Sequence, residues 1–506
     1  MRRAGGYREI LKSSALIGGS SALNIVFGML RTKALALLLG PAGYGMMSTY
    51  ALVVDMSRTI AQLGINASGV RQIADAAASG DSQAIARTVT VLRWVSLACA
   101  LAGGIVLALA AEPVSRLSFS TPAHAGSVAW LSVAVFFSVV AGGQGALLQG
   151  LRHIADMARI AVLSGLLGLV LGVPLVYLYG VDGVVASIIA ASACSLATSW
   201  WYSRRLAIAP APLEFDGFAK ESLALLKLGM AFLASGLLTM GASYAVRIIV
   251  LRHDGLAAAG VYYAAWTLGG LYIGFVLQSL SMDFYPRLVG ACSNDEDCNR
   301  LVNEQALVSL LLAVPGVVAT IAFAPLAISI FYSAGFGDAV DVLRWICLGM
   351  ALRVFTWPIG FIIVAKNRQS LFFATEVSWT AVNVGLTWWL VSTLGVVGAG
   401  IAFFGSYIFH GVFVYGIVRR VSGFRWTASN LKMAACSFAL VALVFIVCRL
   451  LPPVAALAFG LVATLVSGYV SLRILVQLTS PQRLPKALTK LLQFGRFSKR
   501  VRPSES

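Results

Sequence analysis

The chain has 506 residues, of which 59% are hydrophobic and only 11% charged, with 38 Lys and Arg against 20 Asp and Glu. Soluble domains carry about 25% charged residues, so a mean hydropathy of +0.86, with apolar stretches recurring from Ser13 to Val476, excludes a water-soluble enzyme, a nucleic-acid binder and a disordered chain together. The net charge of +18 belongs with anionic lipid and membrane topology rather than nucleic acid, because the basic residues flank the apolar runs.

A membrane-spanning helix needs about 20 mostly apolar residues. Breaks at Gly, Pro and charge clusters divide the chain into fourteen predicted spans. The first six run roughly 12–39, 44–66, 86–111, 126–150, 157–179 and 182–203. The next six run 224–250, 257–285, 303–332, 340–365, 370–393 and 396–418, and the last two 431–451 and 454–477. Continuous apolar runs rather than ten-residue alternations favour an all-α polytopic membrane protein over a barrel. The basic Met1–Lys12 segment precedes an apolar stretch too long for a signal peptide and is read as the start of an uncleaved first span.

The 38 Lys and Arg test this topology. With the N-terminus in the cytoplasm, 28 fall on cytoplasmic ends and loops, three (Arg116, Arg252 and Arg449) lie outside, and seven lie within spans. A wrong span count scrambles such an alternation, so both termini are expected inside. The tail after Pro481 interleaves basic residues with Leu484, Leu488, Leu491, Leu492 and Phe494, and is expected to lie on the anionic inner leaflet, either as a topology anchor or as a regulatory segment.

The seven cysteines are mostly placed in apolar stretches and read as small buried hydrophobes, not as a disulfide framework. Cys292 and Cys298 lie in a polar loop without nearby histidines, which makes a metal site there the lesser reading. Gly-rich stretches such as Gly142-Gly143 show no phosphate-loop pattern. No cofactor, metal or nucleic-acid partner is expected.

The chain repeats itself at an offset of 215 residues. At that shift Leu11-Lys12 meets Leu226-Lys227, Gly40 meets Gly255, Gly45 meets Gly260, Gly180-Val181 meets Gly395-Val396, Gly183 meets Gly398, and Arg204-Arg205 meets Arg419-Arg420. Six spans separate equivalent positions, so the halves have parallel orientation and are expected to surround a central cavity. The predicted organisation is an N-terminal six-helix lobe (1–203), a cytoplasmic linker (204–223), a second six-helix lobe (224–418), two extra helices (431–477) and a basic cytoplasmic tail (479–506).

The run from Arg31 through Lys33, Gly40, Pro41 and Tyr44 to Gly45, the segment Leu63–Arg71, and Met282–Leu288 at the end of the eighth span together resemble the polysaccharide repeat-unit flippases. These are the O-antigen and exopolysaccharide translocases of the multidrug/oligosaccharidyl-lipid/polysaccharide exporter superfamily. The resemblance covers essentially residues 8–478. It implies alternating access, in which an undecaprenyl-diphosphate-linked oligosaccharide passes from the cytoplasmic to the periplasmic leaflet of the bacterial inner membrane while its tail stays in membrane lipid. Polysaccharide polymerase or export machinery is the implied protein partner, and the last two spans resemble the extra pair of lipid-linked-substrate members.

The charges within spans indicate what headgroup suits the interior. The cations are Arg31, Lys33, Arg58, Arg93, Arg247, Arg344 and Arg353, against Asp55, Asp283 and Glu376. A charge at the bilayer centre costs about 2.5–3.5 kcal/mol on the insertion scale, so each needs a partner or a wet interior. Asp55 with Arg58, and Asp341 with Arg344, are spaced three apart as local ion pairs. Arg93 lies near the cytoplasmic end and snorkels. Arg31, Lys33, Arg247 and Arg353 have no acid three or four residues away and are the predicted substrate-binding residues, since arginine forks match diphosphate oxygens. Arg31 and Arg247 are 216 apart, at nearly matching places in the two repeats. Asp55 and Glu376 are read either as ion-coupling groups or as charge partners, and His410 as an interior histidine.

The competing readings are a lipid II flippase, a multidrug or cation antiporter, and a glycan polymerase or ligase. An antiporter calls for an acidic cavity and twelve spans; a polymerase calls for a long external loop, and the largest outer segment here is about 112–125.

Overall fold

The computed structural model describes residues 3–206, 208 and 215–478, without the side chains of 3–22, 215–216, 231–232, 234–235, 282–283 and 286. The Asp283 carboxylate, part of the 204–223 linker and the 479–506 tail therefore lie outside the described residues. In chain order the helices are α1 (Arg3–Gln62), α2 (Ile65–Ser79), α3 (Ser82–Leu109), α4 (Ala111–Phe119), α5 (Ala125–Gly150), α6 (Ile154–Tyr179), α7 (Gly183–Arg204) and α8 (Phe215–Ala291). They continue as α9 (Asp295–Ala322), α10 (Ala324–Phe331), α11 (Ala339–Ala365), α12 (Gln369–Leu394), α13 (Val396–Ser422), α14 (Ala428–Leu450) and α15 (Pro453–Leu478). No strand occurs among the described residues, so the chain is all-α as expected.

Among the described residues, ten segments are long and apolar enough to cross a membrane. Three of them, Leu23–Gln62, Ile154–Arg204 and Gly236–Ser281, run through a break where the sequence predicts two spans. Gly40 (φ 62°, ψ −176°) interrupts α1, and Gly255 (φ 83°, ψ −176°) interrupts α8. A left-handed φ suits glycine because it has no Cβ. Pro41 then restarts α1, its fixed φ and missing N–H being harmless at a first helical position. Short helices also form where connections were expected. α2 buries Ile65, Ser68, Gly69 and Ile73, while α4 fills the stretch read as the largest outer loop. The predicted 303–332 span is broken at Phe323, which caps α9 before α10 begins.

The chain forms two compact units. Unit 1 comprises Met1–Leu268, Ala324–Gly349 and Gln369–His410. Its packing reproduces the 215-residue repeat in three dimensions. A Cβ built on Gly45 would stand 1.9 Å from Leu256 O, and one on Gly260 would stand 2.2 Å from Pro41 O. Pro41 and Leu256 are themselves 215 apart, so the two restarted helices cross by a reciprocal contact of the kind a two-fold axis generates. Further along, a Cβ on Gly183 would lie 2.3 Å from Leu175 O and one on Gly398 2.3 Å from Leu390 O. Gly180 and Gly395 both have positive φ, 58° and 63°. Backbone, not merely composition, is duplicated.

Unit 2 comprises Gly269–Phe323, Met350–Arg368 and, among the described residues, 411–478. Its α9 packs against α14 and α15, and Gly460 of α15 meets Ala322 of α9 so closely that a methyl there would stand 2.3 Å from the alanine Cβ. Two asparagines fasten the α13–α14 connection. Asn299 Nδ2 donates to Ser422 O at 2.7 Å, and Asn303 Nδ2 donates to Arg425 O at 3.1 Å. The Asn303 side-chain oxygen accepts from Thr427 N at 3.0 Å, and Asn430 Nδ2 donates to Asn303 O at 2.8 Å. Buried amides such as those of Asn303 and Asn430 must be paired, and here the pairings tie α9 to the α13–α14 connection and the start of α14. The α8–α9 turn is closed by a Cys292–Cys298 disulfide, which the cysteine placement did not suggest.

Candidate functional site

In unit 1, α6 turns Gly165, Gly168 and Gly172 toward α1, at the spacing of one helical face. A methyl on Gly165 would stand 2.5 Å from Asn24 Oδ1, so side-chain-free positions let α1 approach closely. Farther along the same face Arg31 lies over the other two glycines, its Nη1 3.6 Å from a Cβ built on Gly168 and its Nε 3.9 Å from one on Gly172. Ser187 Oγ of α7 approaches Gly172 as well, 2.8 Å from its built Cβ. Both Arg31 Nε and Ser187 Oγ are buried without a hydrogen-bond partner among the described residues. A buried donor left unpaired costs about 1–3 kcal/mol, so this corner is one that an external oxygen atom would stabilise.

Tyr263 of α8 connects Arg31 to the second repeat. The Arg247 guanidinium carbon stands 4.4 Å from the centre of the Tyr263 ring, a cation–π placement. Tyr44 lies 5.8 Å from the same ring, and the Tyr263 and Tyr44 phenols are both within electrostatic range of Arg31. Tyr44 also packs edge-on against Tyr332 and Phe336, each at 5.6 Å. Thus Arg247 has Tyr263 as its aromatic neighbour, Tyr263 packs near Tyr44, and neither Arg31 nor Arg247 forms a salt bridge among the described residues.

Next to Arg247 is a cavity of about 20 Å³ lined by Ser243, Tyr262, Trp266, Trp379 and Asn383. That is room for roughly one water. One charge, one buried amide, two hydroxyls and three aromatic rings line it. Trp379 continues outward to Tyr407 at 5.5 Å and His410 at 6.4 Å, so His410 forms part of an aromatic cluster.

The other predicted residues are placed differently. The Lys33 ammonium donates to Ser329 O at 2.6 Å and to Tyr332 O, holding the C-terminal carbonyls of α10, where a cation suits the helix dipole. Asp55 lies 3.3 Å from Arg58, with both side chains largely accessible. Glu376, half-buried on α12, is engaged by another residue. Arg353 belongs to unit 2, where its acceptor among the described residues is the Met350 thioether at 4.0 Å. The structure thus places Arg31 over the α6 glycines and Arg247 on the Tyr263 ring, and gives Lys33 a backbone-holding task. Sequence reasoning missed Tyr44, Ser187, Trp379 and Asn383. The glycine spacing on α6 was the available signal for the face that receives Arg31.

Comparison with known proteins places this geometry in a family. The profile of the polysaccharide biosynthesis proteins matches residues 34–341, more than half the chain. The chain belongs to the polysaccharide biosynthesis protein family. Curated relatives include the lipid III flippases of Escherichia coli (strain K12) and Shigella flexneri, each 22% identical over 408 residues, covering 79% of this chain and 96% of the relative. Among solved structures, the lipid II flippase MurJ in an inward closed conformation matches with a TM-score of 0.68 and 14% identity, covering 92% of this chain and all of that one. An inward-facing multidrug resistance MATE family transporter of the MOP superfamily also matches with a TM-score of 0.68, at 17% identity, covering 79% and 94%. This family member therefore has the fold of the MOP superfamily, in agreement with the resemblance carried by Arg31–Gly45. The relatives named here are flippases and transporters, not enzymes.

Proposed function

We propose that the chain is a flippase that moves an undecaprenyl-diphosphate-linked oligosaccharide repeat unit from the cytoplasmic to the periplasmic leaflet, for assembly of a surface polysaccharide. In this reading it works in the bacterial inner membrane with both termini inside, the two repeats alternate in access, and polymerase or export machinery takes the product. The observation that carries the reading is that neither Arg31 nor Arg247 forms a salt bridge among the described residues, Arg31 Nε being buried without a hydrogen-bond partner and Arg247 lying on the Tyr263 ring. A guanidinium with open N–H groups binds phosphate oxygens two at a time. Ser243 and Asn383 add polar groups beside the Arg247 charge, in a cavity that holds about one water.

The energetics support this assignment. The obstacle to unassisted flipping is desolvation of the charged, hydroxylated head, which a cationic interior relieves. Each charge crossing 100 mV is worth about 2.3 kcal/mol, so two negative charges leaving an inside-negative cell release about 4–5 kcal/mol. Ion coupling at Asp55 or Glu376 is not required by that balance.

The test is translocation of a diphosphate-linked oligosaccharide by the purified chain in liposomes, with Arg247→Ala alongside. Loss of transport in the variant at unchanged thermal stability is expected; undiminished transport removes Arg247 from the site. Depletion in cells distinguishes the lipid II reading, because it should trap polymer repeat units rather than peptidoglycan precursor on the inner leaflet.

A further inference from the structure

A second cationic pocket lies in unit 1, away from the residues above. α3 and α7 both pack on α5 and barely touch each other, which leaves a crevice of about 320 Å³ floored by Gly143 and Gln144. Arg93 and Ser96 come from α3, and Trp200, Ser203 and Arg204 from α7. No acidic residue lines it. Arg204 stacks on Trp200 at 4.6 Å and on Trp201 at 4.3 Å, an arrangement that fixes its charge at the crevice mouth. Ser96 is only 4% exposed, and its Oγ has no hydrogen-bond partner among the described residues. Gln144 Oε1 already accepts from Ser199 Oγ at 2.7 Å, which leaves the Gln144 amide as a donor.

The depth of the crevice matches a headgroup. Arg204 ends α7 and Trp200 is one turn before it. Gln144 is six residues from the end of α5 at Gly150, about 9 Å along the axis. Arg93 is farther along α3, but helical side chains lean toward their own N-terminus, which for α3 is this same end. The neighbouring surface is apolar: Trp94 is 59% exposed and Trp200 51%. In a membrane-spanning chain such a surface meets acyl chains, with tryptophan at the interface.

We propose that this crevice binds the phosphate of an anionic phospholipid headgroup, held between Arg93 and Arg204 with Ser96 and Gln144 as donors, while the acyl chains lie along α3 and α7. The site is separate from the Arg31–Arg247 site and stands whether or not the proposed function is right, because its ligand is bilayer lipid and its readout is binding.

The experiment uses the purified full chain in neutral detergent with phosphatidylglycerol, phosphatidylcholine and inorganic phosphate offered separately and in competition. Bound lipid is counted by native mass spectrometry. Two cations at headgroup depth, at about 1 kcal/mol each, correspond to a preference of about thirtyfold for phosphatidylglycerol over phosphatidylcholine. That preference should disappear in Arg93→Gln/Arg204→Gln and persist in Arg159→Gln, which alters a basic residue outside the crevice. The single variant Arg93→Gln changes an exposed side chain and should reduce the preference at least threefold without altering melting, so a folding defect in the double variant leaves the test intact. Full phosphatidylglycerol preference in Arg93→Gln overturns the proposal. Displacement of the lipid by millimolar inorganic phosphate overturns the lipid assignment in favour of a free-phosphate site.

Discussion

Arg247 stands 4.4 Å over the ring of Tyr263, and the same phenol is within electrostatic range of Arg31. The Tyr263 ring therefore orders the Arg247 guanidinium. A ring face holds a guanidinium without consuming its N–H donors, which leaves them for an incoming anion.

If those donors bind phosphate, Arg31→Ala and Arg247→Ala should each lower translocation substantially. A hydrogen bond to a charged group is worth about 1.5–3 kcal/mol, which corresponds to roughly ten- to a hundredfold. Tyr263→Leu should cost less, since a cation–π contact contributes about 0.5–2 kcal/mol, and its effect should be smaller when Arg247 is already Ala. Initial rates in liposomes measure both.

Lys33→Gln should affect stability rather than transport chemistry. Its ammonium holds Ser329 O and Tyr332 O at the end of α10, and a cation at a helix C-terminus is worth about 0.3–2 kcal/mol. Thermal melting of the purified protein should fall, while translocation per folded molecule stays near that of the parent chain.

Asp55→Asn should change little. The Asp55–Arg58 pair at 3.3 Å has side chains 51% and 40% exposed, and exposed pairs contribute about 0–1 kcal/mol. Transport that becomes insensitive to ionophores in this variant, after being sensitive in the parent chain, would instead assign Asp55 to ion coupling.

Gly45→Val and Gly260→Val should fail alike. Their built Cβ atoms fall 1.9 Å and 2.2 Å from the facing carbonyl oxygens, far inside contact distance and against backbone that cannot rotate away. Both variants should yield little folded protein by size-exclusion chromatography. Normal yield of either would mean that the two helix restarts can separate.

Arg353→Ala tests a residue that rests on sequence alone. Its acceptor among the described residues is a thioether, so truncation removes no strong structural contact. Unaltered folding with reduced translocation is expected, and unchanged transport would withdraw Arg353 as a substrate residue.

Much of the architecture was legible because it is written in local chemistry. Gly40 and Gly255 sit at equal repeat positions and take matching backbone angles, and the Asp341–Arg344 spacing gives the 3.7 Å pair observed. α2 and α4 were not anticipated because short helices between spans carry no span-length hydropathy signal. The site was only half legible. That Arg31 lacks a local acid can be counted along the chain, but its packing on Gly168 and Gly172 depends on which face of α6 meets α1. Lys33 was misleading for a related reason, since its acceptors are backbone carbonyls 296 and 299 residues away, and carbonyls carry no residue identity.

The asparagine clasp has a mechanical consequence. Asn430 is 3% exposed and bonded to both the backbone and the side chain of Asn303, while Gly460 pins α15 to Ala322. Any stroke that displaces α9 must tow α14 and α15 as trailing passengers, for slipping the coupling would strip two buried amides of their partners.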